Sequence, residues 1–209
     1  MGGLDLDDLD IIRLAVQGDQ KAFACLVEKY QRPIYNLAGQ MVGFGEDARD
    51  LTQEVFLQVY RHLGRFKGDC RFSTWVYRIA SNLTVDWIRK RRRQVRGLED
   101  YESDSQPTPE EAYLEKEGAR RVRNLLDSLP EKYRLVLVLH YYHRLSYDEI
   151  AGALEVSRRT VESRLYRGRS MMRDRIRQKE AEERSGDGGK RVGVSMGKGT
   201  GARLPDLGR

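Results

Sequence analysis

The chain has 209 residues, of which 33% are charged and 39% hydrophobic, and its 38 Lys and Arg residues against 32 Asp and Glu give a net charge of +6. That length suits one large domain or two small ones with modest cores. Cys25 and Cys70 cannot build a disulfide framework and suit a reducing compartment. No signal peptide is expected, and the longest apolar run, 135–139, is too short to span a bilayer, so we expect a cytoplasmic protein without membrane insertion.

Residues 9–93 are predicted to form a compact four-helix domain, because apolar residues recur there at helical spacing and strand patterns are nearly absent. Three apolar stripes, in 23–37, 51–63 and 75–87, are separated by Gly- and Asp-containing breaks. Asp19 is expected to cap the second helix, and Ser73 or Thr74 the fourth. Cys25, between Ala24 and Leu26, is expected in or near the core.

Two segments are predicted to lack a packed core. Residues 94–118 read as an acidic, flexible linker, since 97–118 holds eight acidic residues and one basic residue. Residues 180–209 are expected to be a disordered tail, with eight glycines in the last 25 residues.

Between these segments, 119–179 is predicted to be a second helical domain. An apolar face in its first helix leads to Pro130, which suits the first turn of the next helix, ending near residue 143. The members of that face are Val122, Leu125, Leu126 and Leu129.

A helix-turn-helix is predicted at 146–169. Ser146 and Glu149 fit a capping box, and Ser157 is a good N-cap for the second helix. Glu155 stands where many such turns carry Gly, which predicts a slightly strained turn. The inward side chains are expected to be Ile150, Ala151, Leu154, Val161 and Leu165.

The second of these helices is predicted to read duplex DNA. Residues 158–177 hold eight basic and two acidic residues, and an N-terminal half rich in Arg, Ser and Thr suits the major groove. A solvated basic helix in an ordinary bundle is the alternative. The joint spacing of cap, turn, second cap and apolar anchors favours DNA binding.

Three segments, 47–56, 72–93 and 129–151, resemble conserved regions 2 and 4 of bacterial sigma factors, in the family's order. Without a middle domain, the layout is similar to the extracytoplasmic function (ECF) group. The resemblance implies an all-α fold of two small domains, a four-helix region 2 and a helix-turn-helix region 4, joined by the acidic linker. It implies an alternative sigma factor that binds core RNA polymerase and directs promoter-specific initiation, with no catalysis of its own.

The resemblance also implies where each partner binds. The 47–56 helix would dock on the clamp helices of the largest polymerase subunit through Asp47, Asp50, Gln53, Glu54 and Leu57, although a solvated acidic face is the simpler explanation of that cluster. The C-terminal domain would bind the polymerase flap. An anti-sigma factor is a further expected partner, which would hold the protein at the inner membrane.

Two promoter elements would be bound. The downstream (−10) element would be held and helped to melt by a cationic track and by aromatic or amide side chains: Phe66, Phe72, Tyr77, Asn82, Arg89, Lys90, Arg92 and Arg93. The upstream (−35) element would be read as duplex by Arg158, Arg159, Thr160, Glu162, Ser163 and Arg167. Glu162 departs from the basic or small residue of many relatives, and Asp86 is expected to pair with Arg89 or Lys90.

No metal site or cofactor is expected, because the three histidines and two cysteines form no ligand set. Two competing functions remain at this stage. One is a dimeric repressor or activator that binds a palindrome without polymerase. The other is a polymerase-binding regulator that does not melt promoters.

Overall fold

The computed structural model describes residues 8–95 and 117–187, and all regular structure in these two stretches is helical. The first stretch holds α1 (Asp8–Val16), α2 (Gln20–Val42), α3 (Glu46–His62), a 3₁₀ turn (Leu63–Arg65) and α4 (Phe72–Val95). The second holds α5 (Glu117–Asp127), α6 (Glu131–Leu137), a π-helical turn (Val138–Tyr142), α7 (Tyr147–Leu154) and α8 (Arg158–Asp187). The predicted all-α class and two-domain layout are confirmed.

The N-terminal four-helix domain agrees with the sequence pattern in element number. Asp19 caps α2, since its carboxylate accepts from the backbone N–H of Lys21 and Ala22 at 2.8 and 3.2 Å. Such a cap contributes about 1 kcal/mol. The predicted cap of α4 was wrong: that helix begins at Phe72, and the Arg71 carbonyl accepts its first backbone hydrogen bond, from Trp75. Thr74 is instead buried inside the helix.

The prediction for Cys25 was also wrong, because its side chain is exposed. Leu26, Ile34 and Leu37 are fully buried along α2, so their stripe defines the inner face. A neighbouring position on a helix is rotated by about 100°, and Cys25 therefore points away from that face.

The C-terminal domain is built on an apolar run at 135–139, all of whose residues are buried. Arg134 beside it is also buried and is paired with Asp127 at 2.6 Å. Helix α8 runs to Asp187, eight residues beyond the predicted end of the domain at 179. The expected linker, apart from its two ends, and the rest of the expected tail lie outside the described residues.

The two domains pack directly on each other. Helix α4 lies along α7, and one continuous cluster of buried apolar residues extends from the first domain into the second. The sequence predicted two domains but not this contact.

Candidate nucleic-acid and polymerase interfaces

The helix-turn-helix has the predicted local chemistry. The Ser146 hydroxyl accepts from the Glu149 N–H at 3.3 Å, and the Glu149 carboxylate accepts from the Ser146 N–H at 2.9 Å, which completes the capping box. The Ser157 hydroxyl accepts from the Thr160 N–H at 3.2 Å, one residue before α8 begins. These caps fix where both helices start.

The inward face of the motif differs at one position. Ile150, Val161 and Leu165 are buried as predicted, but the fully buried small residue of α7 is Ala153, while Ala151 and Leu154 are partly exposed. Helix α7 is covered by α8 on one side and by α4 on another, so more of its circumference is buried than a two-helix motif requires.

The turn residue Glu155 adopts the left-handed conformation, with φ 51° and ψ 43°. That conformation costs a side chain other than Gly or Asn roughly 1–2 kcal/mol. Its carboxylate lies 3.3 Å from the Arg78 guanidinium of α4, so the charge at this position forms a contact that Gly could not supply.

Helix α8 presents four of the expected upstream-element residues on one face at helical spacing. Arg159, Ser163 and Arg167 are exposed and Thr160 is half-buried. The other two are engaged: Arg158 contacts Asp148 at 2.6 Å and Glu162 at 3.2 Å. Glu162 is thus held by a cation of its own helix.

The expected downstream-element residues of α4 divide by burial. Phe72 and Tyr77 are 4% and 7% exposed, and Phe72 packs against Phe66 and Tyr30 at centroid distances of 5.4 and 5.5 Å. In this arrangement the two buried rings are not accessible to an unstacked base. Asn82 is exposed, and Phe66 is partly exposed.

The cationic end of α4 is mostly solvent-exposed. Arg89, Lys90, Arg92 and Arg93 are exposed, and Arg89 lies 3.9 Å from Asp86, the expected pairing. Arg92 also reaches across to Glu131 of α6 at 3.3 Å. A backbone hydrogen bond is the main cause that lowers the pKa of Glu131, and the charge of Arg92 lowers it further.

The expected polymerase face of α3 is also exposed. Asp50, Gln53 and Leu57 point outward, and Leu57 is 50% exposed, so an apolar side chain lies among polar ones on this face. Asp47 is already engaged, because its carboxylate is paired with Arg91 of α4 at 2.6 Å. Tyr60, 57% exposed and one turn beyond Leu57, extends the apolar part of this face and was missed, although its i+3 spacing from Leu57 signals it.

An apolar groove of about 670 Å³ on the C-terminal domain was not predicted from the sequence. Three exposed tyrosines, at 141, 142 and 166, stand around it, with two arginines and no carboxylate in its lining. The paired tyrosines after a buried apolar run were the available signal. The residues that line it are Val122, Leu126, Leu137, Tyr141, Tyr142, Tyr166, Arg169, Met172 and Arg173.

Within 8–95 and 117–187, His, Cys, Asp and Glu side chains form no group of three that could hold a metal ion. No helix in these ranges has the length and apolar character that crossing a membrane requires.

Comparisons with known proteins match both halves of the chain. Residues 26–94 match the Sigma-70 region 2 family and residues 119–172 match the Sigma-70 region 4 family. The chain is 38% identical to the ECF RNA polymerase sigma factor SigW of Bacillus subtilis, over 79% of this chain and 95% of that protein. It is 34% identical to the ECF RNA polymerase sigma-E factor of Escherichia coli K12, over 82% and 95% respectively.

Solved structures give the same result for the fold. The structure of CnrH in complex with the cytosolic domain of CnrY is similar at a TM-score of 0.63 and 26% identity, covering 82% of this chain and 97% of that one. The similarity spans both helical domains.

Proposed function

The chain belongs to the ECF family of RNA polymerase sigma factors, and from this premise we propose which of its surfaces contact polymerase and which contact the promoter. As a family member it is an alternative sigma factor that directs promoter-specific transcription initiation. A stand-alone repressor would have no need of a region 2 domain. The polymerase performs the chemistry, and this chain contributes binding energy in the cytoplasm.

The uncovered face of α8 reads the upstream element. Arg159, Ser163 and Arg167 are exposed at helical spacing, which is the observation that carries this assignment. Arg suits guanine edges, and Ser suits either base edges or phosphates. Arg158 and Glu162 support this face through their own ion pair rather than as free readers.

The downstream element is held along α4 by Asn82 and the cationic end of that helix. Arg89, Lys90 and Arg93 supply a track for a single strand. Phe66, which is partly exposed, would meet an unstacked base, whereas Phe72 packs in the core of the first domain and Tyr77 is covered by His143 of the second.

The α3 face formed by Asp50, Gln53, Glu54 and Leu57 docks on the polymerase clamp helices. An exposed leucine rimmed by carboxylates and an amide is a polar-rimmed apolar contact. The C-terminal domain binds the flap, and an anti-sigma factor binds the free chain.

The test uses full-length protein and purified core polymerase. Asp50→Ala together with Glu54→Ala should weaken capture of core enzyme about tenfold, or ~1.4 kcal/mol, because two interface charges are lost. Glu28→Ala with Asp174→Ala removes two exposed carboxylates elsewhere and is the matched control. Equal capture by both double variants, with unchanged circular dichroism, would refute the α3 interface.

A further inference from the structure

The apolar groove on the C-terminal domain is an uncovered surface to which the proposed function assigns no role. Its floor is formed by Leu126 and Leu137, which are 3% and 2% exposed. Its walls carry exposed side chains, among them Val122, Tyr141 and Tyr166. Tyrosine rings that stand around a buried aliphatic floor favour the binding of a further apolar segment, because each ring then loses contact with water.

The apolar surface continues from the groove along α8, toward the end of that helix. Ile176 is exposed and lies one turn beyond Met172 of the lining, so the two side chains share one face of α8. Arg169 and Arg173 are the charged residues of the lining, and their guanidinium groups are hydrogen-bond donors only. The groove therefore suits a segment that offers apolar side chains and carbonyl oxygens, and it disfavours Lys or Arg.

The sequence that follows α8 contains such a segment. Val192, Val194 and Met196 alternate with Gly193 and Ser195. In an extended conformation the three larger apolar side chains would share one face, since successive side chains point to opposite sides. Residues 192–197 include no charged residue, so this segment matches the requirements of the groove.

The position of this segment in the chain also matches the distance to the groove. Helix α8 ends at Asp187, fifteen residues after Met172, which is about 22 Å along the helix axis. The Gly-Gly pair at 188–189 permits a reversal of the chain. The six steps from Lys190 to Met196 then cover about 20 Å if they are extended, so Met196 would reach the groove.

Charges in the sequence favour the same reversal. Residues 180–187 include four carboxylates and one arginine, and Lys190 and Arg191 follow directly after the glycines. A chain that turns back at 188–189 would therefore bring opposite charges near each other.

A later apolar pair, Leu204 and Leu207, fits the groove less well. Binding at these positions would close a longer loop, which costs more conformational entropy. It would also bring Arg203 close to Arg169 and Arg173 of the lining, where like charges repel. The nearer segment is thus the better occupant.

We propose that residues 192–196 bind the groove of the C-terminal domain in the same chain, with Val194 over Ile176 and Met196 over Met172. The match to the Sigma-70 region 4 family ends at residue 172, so this segment lies outside the matched range. The bound segment shields the tyrosines from water, and any partner that uses the groove must displace it. The proposal goes beyond the proposed function and depends on no promoter or polymerase contact.

Disulfide trapping in the full chain tests where the segment lies. Ser195→Cys leaves the three apolar side chains intact and is combined with Arg173→Cys at the groove, in a background with Cys25→Ser and Cys70→Ser. The control pair replaces Arg173→Cys with Gln178→Cys, because residue 178 is also exposed but lies on the far side of α8. The groove pair should form an intramolecular disulfide at least about tenfold faster than the control pair, as measured by mass spectrometry of digests.

Two results of the trapping experiment would overturn the proposal. A segment that does not bind should react with position 178 at least as fast as with position 173, because the loop to 178 is shorter. Disulfides between chains, formed at a rate that rises with protein concentration, would show instead that a second copy occupies the groove.

Removal of the apolar side chains tests what holds the segment. Val194→Ser with Met196→Ser, added to the groove pair, should lower its rate to that of the control pair, because the apolar contact is lost. Leu204→Ser with Leu207→Ser removes a similar apolar area outside the segment and should leave the tenfold preference intact. Equal rates for these two variants would refute binding through Val194 and Met196.

A dye that fluoresces on exposed apolar surface gives an independent readout without cysteine substitutions. Val194→Ser with Met196→Ser should raise the fluorescence of anilinonaphthalene sulfonate with the full chain at least about twofold, because the groove becomes uncovered. Leu204→Ser with Leu207→Ser should leave the fluorescence unchanged, and circular dichroism should show the same helix content in both variants. No difference in fluorescence between the two variants would contradict the proposal.

Discussion

The imidazole of His143 lies at the contact between the two domains, where its Nδ1 is 3.0 Å from the Tyr77 hydroxyl. Its Nε2 is buried without a hydrogen-bond partner among the described residues. Burial lowers the pKa of His143 from 6.5 to about 4 and raises that of Tyr77 to about 12. Both side chains are therefore neutral at pH 7, and charging the histidine opposes the packing.

This pair predicts an acid-sensitive stability. Between pH 6.5 and about 4 the unfolded chain binds more protons at His143 than the folded chain does, so the free energy of unfolding falls as the pH falls through this window. At pH 5 the loss is about 2 kcal/mol. Chemical denaturation at pH 7 and pH 5 should measure this loss in the free energy of unfolding, and the loss should be smaller for His143→Gln.

Glu131 and Glu149 have pKa values lowered from 4.5, so their effect on the free energy of unfolding appears mainly below pH 4.5. The change in stability between pH 7 and pH 5 therefore reports mainly on His143. An equal pH dependence in the wild type and in His143→Gln would contradict the assignment.

At the scale of elements, the helix-turn-helix is fixed by its helix ends. Helix α7 has only eight residues, too short to be stable from its intrinsic propensity. Its capping box satisfies two backbone N–H groups, and Arg78 satisfies a carbonyl at its other end. Polar contacts at both ends therefore supplement the buried Ile150 and Ala153.

Removing one end of this support has a defined cost. Ser146→Ala should lower the free energy of unfolding by about 1 kcal/mol, because the Glu149 N–H loses its acceptor. Urea denaturation followed by circular dichroism measures it. Ser163→Ala, an exposed serine inside α8, should change stability by less than about 0.5 kcal/mol. A larger effect at Ser163 than at Ser146 would contradict the capping account.

At the scale of the whole molecule, the contact between domains is electrostatically complementary. Arg71, just before α4, and Arg78 and Arg92 of α4 each contact a glutamate of the second domain, at 2.9, 3.3 and 3.3 Å. Each pair is partly exposed, so each contributes little alone, and a buried apolar cluster lies beside them. The net charge of +6 does not reveal this arrangement, because the arginines lie in the first domain and the glutamates that they contact lie in the second.

Exchanging the charges of one pair should therefore be compensated. Arg78→Glu and Glu155→Arg should each increase the radius of gyration of the free chain in small-angle scattering, since each leaves like charges in contact. The double exchange should return it toward the wild-type value, because the opposite charges meet again. Additive expansion in the double variant would show that this pair does not hold the domains together.

The sequence by itself determined the local structure. Helical spacing of apolar residues placed four helices in the first domain, and Asp19, Ser146 and Ser157 marked helix starts, because capping is an interaction between residues two or three apart. The two-domain sigma layout followed from motifs in order. The α3 polymerase face and the DNA contacts stay predictions, but their exposure on α3 and α8 followed from helical periodicity.

Only the tertiary structure decided which side chains remain available. Phe72 and Tyr77 look like base-stacking residues in the sequence, yet they are buried by Tyr30 and by the second domain. Likewise, Glu155 is unusual for its turn until the structure brings Arg78 to it. Such contacts join residues more than 40 positions apart, and no local pattern encodes a partner that only folding brings into reach.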